Sequence, residues 1–182
     1  MTLSYADAAA QITAPGERYE THEITVNGVT YTAFKGAPGT LRELFDLTTL
    51  YGDTEYLVYE DERYTFTEVH AHAAGLAAAL VNRYGVRKGD RVAIAMRNYP
   101  EWIMTYVGAL AAGAIVVSMN AWWTAEELDY GLEDSGTTVL VADAERVART
   151  RESAARLGIR TIGVRLGDGD TPEGVDRWED VV

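Results

Sequence analysis

Cysteine is absent from this 182-residue chain, lysine occurs only at Lys35 and Lys88, and there are four prolines. Without cysteine there can be no disulfide framework, no cysteine-ligated zinc and no thiol nucleophile. The same absence fits a reducing compartment and gives the expectation of a cytoplasmic protein. Basic residues are few: 16 lysines and arginines face 28 acidic residues, for a net charge of −12. The arginines are scattered, and nucleic acid is held by clustered cations, so it is excluded as a partner. Long apolar runs are missing too. Residues 109–119 form the longest and Gly113 interrupts it, far short of a bilayer span. Residues 1–16 lack the basic start and apolar stretch of a secretory signal. With 47% hydrophobic and 24% charged residues, the chain reads as an ordinary soluble globular protein able to bury one real core.

What is present divides into two rhythms. Ser4 with Asp7 predicts a capped short helix over residues 4–12, ended by Pro15-Gly16. Residues 21–34 hold β-branched segments on both sides of Asn27-Gly28, a pair suited to the positive φ angles of a tight turn, and predict a hairpin. Ile24, Val26, Val29 and Tyr31 would share one of its faces. Thr40 and Glu43 cap a helix carrying Leu41, Leu44 and Phe45. A second hairpin is expected from residues 55–59, a turn at Asp61-Glu62, and residues 63–65. Thr65 and Glu68 form a capping box before Phe66, Val69, Ala73, Leu76, Leu80 and Tyr84, which follow one another at steps of three and four as a single apolar stripe. Gly85 closes that helix.

From Lys88 onward, short apolar segments alternate with helical ones. Strands are expected at 91–96, 114–119, 137–142 and 159–164. Helices are expected at 100–112, 125–134 and 144–157, the first with Pro100 at its start. This alternation predicts an α/β fold, a mostly parallel sheet with flanking helices built from βαβ units, preceded by a β-hairpin and helices. The expected organisation is a leader at 1–39, an α/β core at 40–166, and a linker or incomplete element at 167–182.

A parallel sheet invites a nucleotide, yet the loops argue against a self-contained site. The 91–96 strand runs into Arg97-Asn98-Tyr99-Pro100 and the third strand into Asp143-Ala144-Glu145. Neither loop has the glycines that let backbone approach a pyrophosphate, and no Gly-Lys-Ser/Thr triplet exists. His70 and His72, two apart on a helix, point in different directions and make no shared metal site; His22 lies at a strand start beside Glu20 and Glu23. The turn Asp168-Gly-Asp170-Thr-Pro-Glu173 lacks the ligand pattern of a calcium loop. Trp122-Trp123 follow a strand end, where aromatic side chains either line pockets or pack on the sheet and a helix. Spacing alone therefore yields no catalytic residue and no metal ligand.

Five segments in order resemble the adenylate-forming (AMP-binding) superfamily of acyl-CoA synthetases. They are Tyr64-Thr-Phe-Thr-Glu-Val69, residues 85–94, Arg97-Asn-Tyr-Pro-Glu-Trp102, residues 109–120, and Thr124-Ala-Glu-Glu-Leu128 leading to Asp134-Ser-Gly136. The leader, from Gly16-Glu-Arg-Tyr-Glu to Lys35-Gly-Ala-Pro38, is similar to that of bacterial fatty-acid–CoA ligases. Ser118 departs from the family's usual proline, with an effect expected to stay local to the strand exit. The resemblance implies an amino-terminal fragment of an ATP-dependent ligase joining a fatty acid to coenzyme A through an acyl-adenylate, with ATP, CoA and Mg²⁺ serving the parent enzyme. The phosphate loop, acidic metal ligand and mobile lysine of the family would follow the segment matched here, so the fragment itself is expected to be inactive. Arg146 and Arg149, three apart on one helix face, are implied as holders of the CoA phosphate; a solvated helix face is the competing reading. A chain ending at Val182 would leave apolar faces unpartnered, that of the Phe66–Tyr84 stripe among them, and a homodimer or swapped dimer would cover them. Peripheral membrane contact by the parent stays open. So do a ligase for an aromatic or amino acid and a short non-catalytic α/β interaction module.

Overall fold

The computed structural model describes residues 3–169 and 171–182. The chain forms two compact units that divide between Leu44 and Phe45.

The first unit contains helix α1 (Tyr5–Ile12) and the hairpin of β1 (Thr21–Val26) and β2 (Val29–Phe34). The Ser4 hydroxyl accepts from the Asp7 amide at 3.2 Å, satisfying one of the free N–H groups of the first turn. Asn27 and Gly28 take φ angles of 51° and 81°, which turns the chain tightly enough to pair Val26 with Val29 and Ile24 with Tyr31. Those four side chains share one face as expected, but all four are exposed, and neither strand has a buried residue. Helix α2 (Leu41–Asp46) follows, its Glu43 amide bonded to the Thr40 hydroxyl at 3.1 Å.

The second unit carries the core. A 3-10 turn (Leu47–Tyr51) leads to β3 (Glu55–Tyr59) and β4 (Glu62–Thr65), an antiparallel pair. Its turn lies at Glu60-Asp61, one residue earlier than expected, with Glu60 at a φ of 48°. Thr65 and Glu68 complete the capping box of α3 (Phe66–Asn82), with reciprocal bonds of 3.2 and 2.8 Å. Then come β5 (Arg91–Ala95), α4 (Pro100–Ala111), β6 (Ile115–Ser118), α5 (Ala125–Ser135), β7 (Thr137–Asp143), α6 (Ala144–Leu157), β8 (Arg160–Val164) and β9 (Val175–Arg177).

The five strands from β5 onward form one parallel sheet in the order β6-β5-β7-β8-β9. Alternation along the strands splits the core in two. Val92, Ile94, Val139, Val141, Ile162 and Val164 face α3 and α4, whereas Ala93, Ala95, Leu140 and Ala142 face α5 and α6. Both faces are covered, which is why these strands read as continuous apolar runs.

Three expectations need correction. The α3 stripe is not left unpartnered: Val69, Leu76 and Leu80 are fully buried, removing apolar surface worth roughly 1.5–3 kcal/mol per side chain. Helix α4 lies so close that a Cβ on Gly108 would meet the Ala73 carbonyl oxygen at 2.9 Å. Strand β6 was expected to be buried, but it is the sheet's edge and exposes Ile115. Finally, residues 167–182 do more than link, since β9 extends the sheet and Trp178 inserts into the core. The acidic turn at 168–173 includes Asp170, which lies outside the described residues.

Candidate functional site: a crevice at the strand ends

The strand order places one feature of the sheet by topology alone. From β5 the chain steps outward to β6, then returns past β5 to β7 and continues in that direction through β8 and β9. The direction reverses between β5 and β7, and the loops beyond their carboxyl ends must diverge, opening a crevice where α/β sheets commonly hold ligands. A cavity of about 520 Å³ lies there, lined by Arg97, Asn98 and Tyr99 after β5, Asp143 at the end of β7 with Glu145 and Arg146 just after it, and Arg165 after β8, with Tyr59 of β3 at its side.

Asp143 is the hub of the floor. One carboxylate oxygen accepts the Arg97 amide from the neighbouring loop at 2.9 Å. The other accepts the Arg146 amide at 3.1 Å, which caps α6. The Arg146 guanidinium returns to the same carboxylate at 3.2 Å and reaches Glu145 at 2.8 Å. Its Nε donates to the carbonyl of Ala121 at 2.8 Å, and a second nitrogen donates to the same oxygen. Arg146 is only 1% exposed. Arg149, one-third exposed, donates to the Trp123 carbonyl at 2.8 Å and pairs with Glu145.

The wall is a second arginine cluster. Arg165 grips both oxygens of Glu62 on β4 at 2.8 Å each and reaches Glu101 in the first turn of α4 at 3.0 Å. Its guanidinium lies 5.0 Å from the Tyr59 ring centre and 4.8 Å from that of Tyr99, within cation–π range. The hydrogen bonds from Arg165 hold the Glu62 carboxyl below the usual range. Burial, reinforced by a bond to Glu62, pushes the Tyr64 phenol up to about 12, and burial also raises Tyr59. These phenols stay protonated donors at neutral pH. Beside this wall, Leu57, Val58, Tyr59, Tyr99, Trp102 and Ile103 enclose an apolar hollow of about 200 Å³.

The crevice therefore has charged walls whose charges are mostly spent on each other. Among the described residues, Arg97 pairs with no carboxylate; its guanidinium lies 4.3 Å over the ring of Trp122, which is 71% exposed. No histidine, cysteine, serine or threonine lines the cavity, so it offers no Ser–His or Cys–His pair. Its groups can bind and orient.

Sequence reasoning placed Arg146 and Arg149 correctly on one helix face, and the structure brings both toward the loop of residues 121–123. It missed Arg97, Tyr59 and Arg165. A usable signal existed: Arg97 and Arg165 each lie just beyond a strand's carboxyl end. Trp122 and Trp123 separate, the former at the surface and the latter packed against Gly131 of α5. His70 bonds to the Thr48 hydroxyl at 2.9 Å and stacks on Phe45, while His72 meets the edge of Tyr64, so the two share no ligand. Among the described residues no group of three histidines, cysteines or acids could hold a metal, so they offer no ready-made all-protein cage for Mg²⁺. No helix among them is long and apolar enough to cross a membrane.

A model of the family described as AMP-binding enzyme matches residues 46–180. The chain belongs to that family. It is 38% identical over 103 residues to 4-coumarate–CoA ligase 3 of Oryza sativa subsp. japonica, covering 57% of this chain and 18% of that protein. It is 37% identical over 130 residues to a long-chain-fatty-acid–CoA ligase of Salmonella typhimurium strain LT2, covering 70% of this chain and 23% of that protein. Coronafacic acid ligase from Pectobacterium brasiliense superposes with a TM-score of 0.70 over 77% of this chain and 28% of that one. At 21% identity that likeness establishes the fold. The chain thus spans about a fifth of the length of the family relatives it matches.

Proposed function

We propose that this chain supplies the amino-terminal scaffold of an ATP-dependent fatty-acid–CoA ligase, which would convert a fatty acid, ATP and CoA to acyl-CoA, AMP and pyrophosphate through an acyl-adenylate. The observation that carries the reading is the 130-residue stretch 37% identical to a long-chain-fatty-acid–CoA ligase. In this reading the groups that handle ATP's phosphates and Mg²⁺ come from residues outside this sequence, because its loops lack the glycines and lysine such work needs. The chain by itself then performs no chemistry. An aromatic acid as substrate is the second reading, favoured by the match to a 4-coumarate–CoA ligase.

For the CoA phosphate, the two arginines differ. Arg149 is one-third exposed and can exchange its bond to Glu145 for a phosphate, a charge-assisted contact of the kind arginine makes well. Arg146 would have to abandon Asp143, Glu145 and Ala121. Arg149→Ala in the longer enzyme should raise KM for CoA and leave KM for the acid unchanged.

The deciding experiment expresses the reading frame together with its downstream sequence and measures pyrophosphate release with ATP, CoA and a panel of fatty and aromatic acids. Release dependent on fatty acids, with none from residues 1–182 alone, is expected. Turnover with aromatic acids only selects the second reading, and turnover by residues 1–182 alone rejects the scaffold reading. Residence in the cytoplasm and peripheral contact with lipid belong to the same proposal and are tested by fractionating cells that express the longer protein. Self-association of the isolated chain does too, through the exposed side of the β1–β2 hairpin instead of the buried α3 stripe; light scattering showing a monomer at high concentration removes it.

A further inference from the structure

We infer that Arg146 is a positioning residue that builds the crevice, acting through Asp143 to hold three separate loops in one arrangement and leaving Arg97 as the cation that faces a ligand. The inference concerns the architecture of this chain and does not depend on which acid a ligase would take.

Burial sets the constraint. A guanidinium taken out of water costs several kcal/mol unless its donors are met, and the Arg146 side chain is 2% exposed beside an Asp143 side chain 5% exposed. The observed partners meet that demand: two oxygens of Asp143, one of Glu145, and the carbonyl of Ala121. Among the described residues no buried side-chain nitrogen or oxygen lacks a partner. Four of its five N–H donors are engaged in this way, which leaves little for a ligand.

Each partner sits on a different piece of chain. Asp143 ends β7, Ala121 lies between β6 and α5, and the Arg97 amide held by Asp143 lies after β5. These pieces come from three strand ends on the two sides of the topological reversal, where no sheet hydrogen bonds tie one loop to another. The planar guanidinium spans the gap by using its fork in two directions, which a lysine's point charge cannot do. Arg97 is then fixed by its backbone alone, and its side chain is free to rest on Trp122 over the open crevice. Arg149 secures the same loop one step further along, at Trp123.

Backbone amide exchange of the 182-residue chain, read residue by residue, tests this against a merely structural role. Arg146→Lys and Asp143→Asn are the principal variants, because each keeps a polar group in the buried space; Arg146→Ala is the severe one. The expected result is exchange of the Arg97 amide accelerated by about tenfold or more, with a changed Trp122 fluorescence, while the amides of α3 keep their protection. Arg151→Ala, on an exposed position of the same helix, should change neither. The inference is overturned if Arg97 exchange stays within twofold of the parent in Arg146→Lys and Asp143→Asn, or if all amides, those of α3 included, accelerate together. Should Arg146→Ala fail to fold, the two milder variants still decide.

Discussion

The β1–β2 hairpin and the five-stranded sheet use similar residues to opposite ends. Both hold β-branched residues and both pair strand to strand, the hairpin in unbroken register and the sheet with one shift at Arg91/Val92. In the hairpin every apolar side chain named by the sequence stays exposed; in the sheet, Val92, Ile94, Val139, Val141 and Ile162 are almost wholly buried. The hairpin forms because Asn27-Gly28 brings neighbours in sequence together at little entropic cost. The sheet forms because α4 to α6 return the chain across it and, with α3, cover both faces. A strand pattern thus states which residues can share a face, and only the connections decide whether that face meets anything.

The largest expected break in this comparison comes from paired truncations. Leu76→Ala removes a fully buried side chain and should cost about 2–5 kcal/mol. Val26→Ala, half-exposed on the hairpin, should stay within about 0.5 kcal/mol. Denaturant titration of each variant measures both. Comparable losses would mean that the hairpin face is covered in solution.

A smaller contrast compares caps. Thr65→Ala unmakes the capping box at the start of α3 and should destabilise the second unit by about 1 kcal/mol. Ser4→Ala removes the cap of α1, a helix with no buried residue, and should fray that helix alone. Helical amide exchange distinguishes a global from a local effect.

The smallest effect is electrostatic. Burial depresses the pKa of His70 below its ordinary 6.5, so the folded chain prefers the neutral ring. The associated stability is fully present above the unfolded value and is lost as pH falls through the lower folded value. A modest decline in melting temperature from about pH 7 to pH 5 should follow, flattened in His70→Leu. A decline unchanged by that substitution assigns it to other groups.

Much of the fold was legible because its signals are local. The capping box at Thr65, the Pro100 helix start and the Asn27-Gly28 turn each act within a few residues, and each sets an element boundary where expected. The crevice was not legible: Arg165 meets Glu62 across 103 positions and Arg97 meets Asp143 across 46. The place of Arg97 and Arg165 just beyond a strand's carboxyl end is a local signal, but it does not say which distant carboxylate each would meet.

Arg146 and Arg149 show where that boundary lies. Their spacing, one helix face, followed from the sequence because a helix returns to the same side after three or four residues. Which of them would be buried did not follow. Burial depends on the order β6-β5-β7-β8-β9, which places residue 121 over the start of α6 and so surrounds one arginine with acceptors while leaving its neighbour partly in water. Local hydrogen bonds and periodicity determined the elements and their faces; strand order, a property of the whole chain, decided which charges became structure and which remained available.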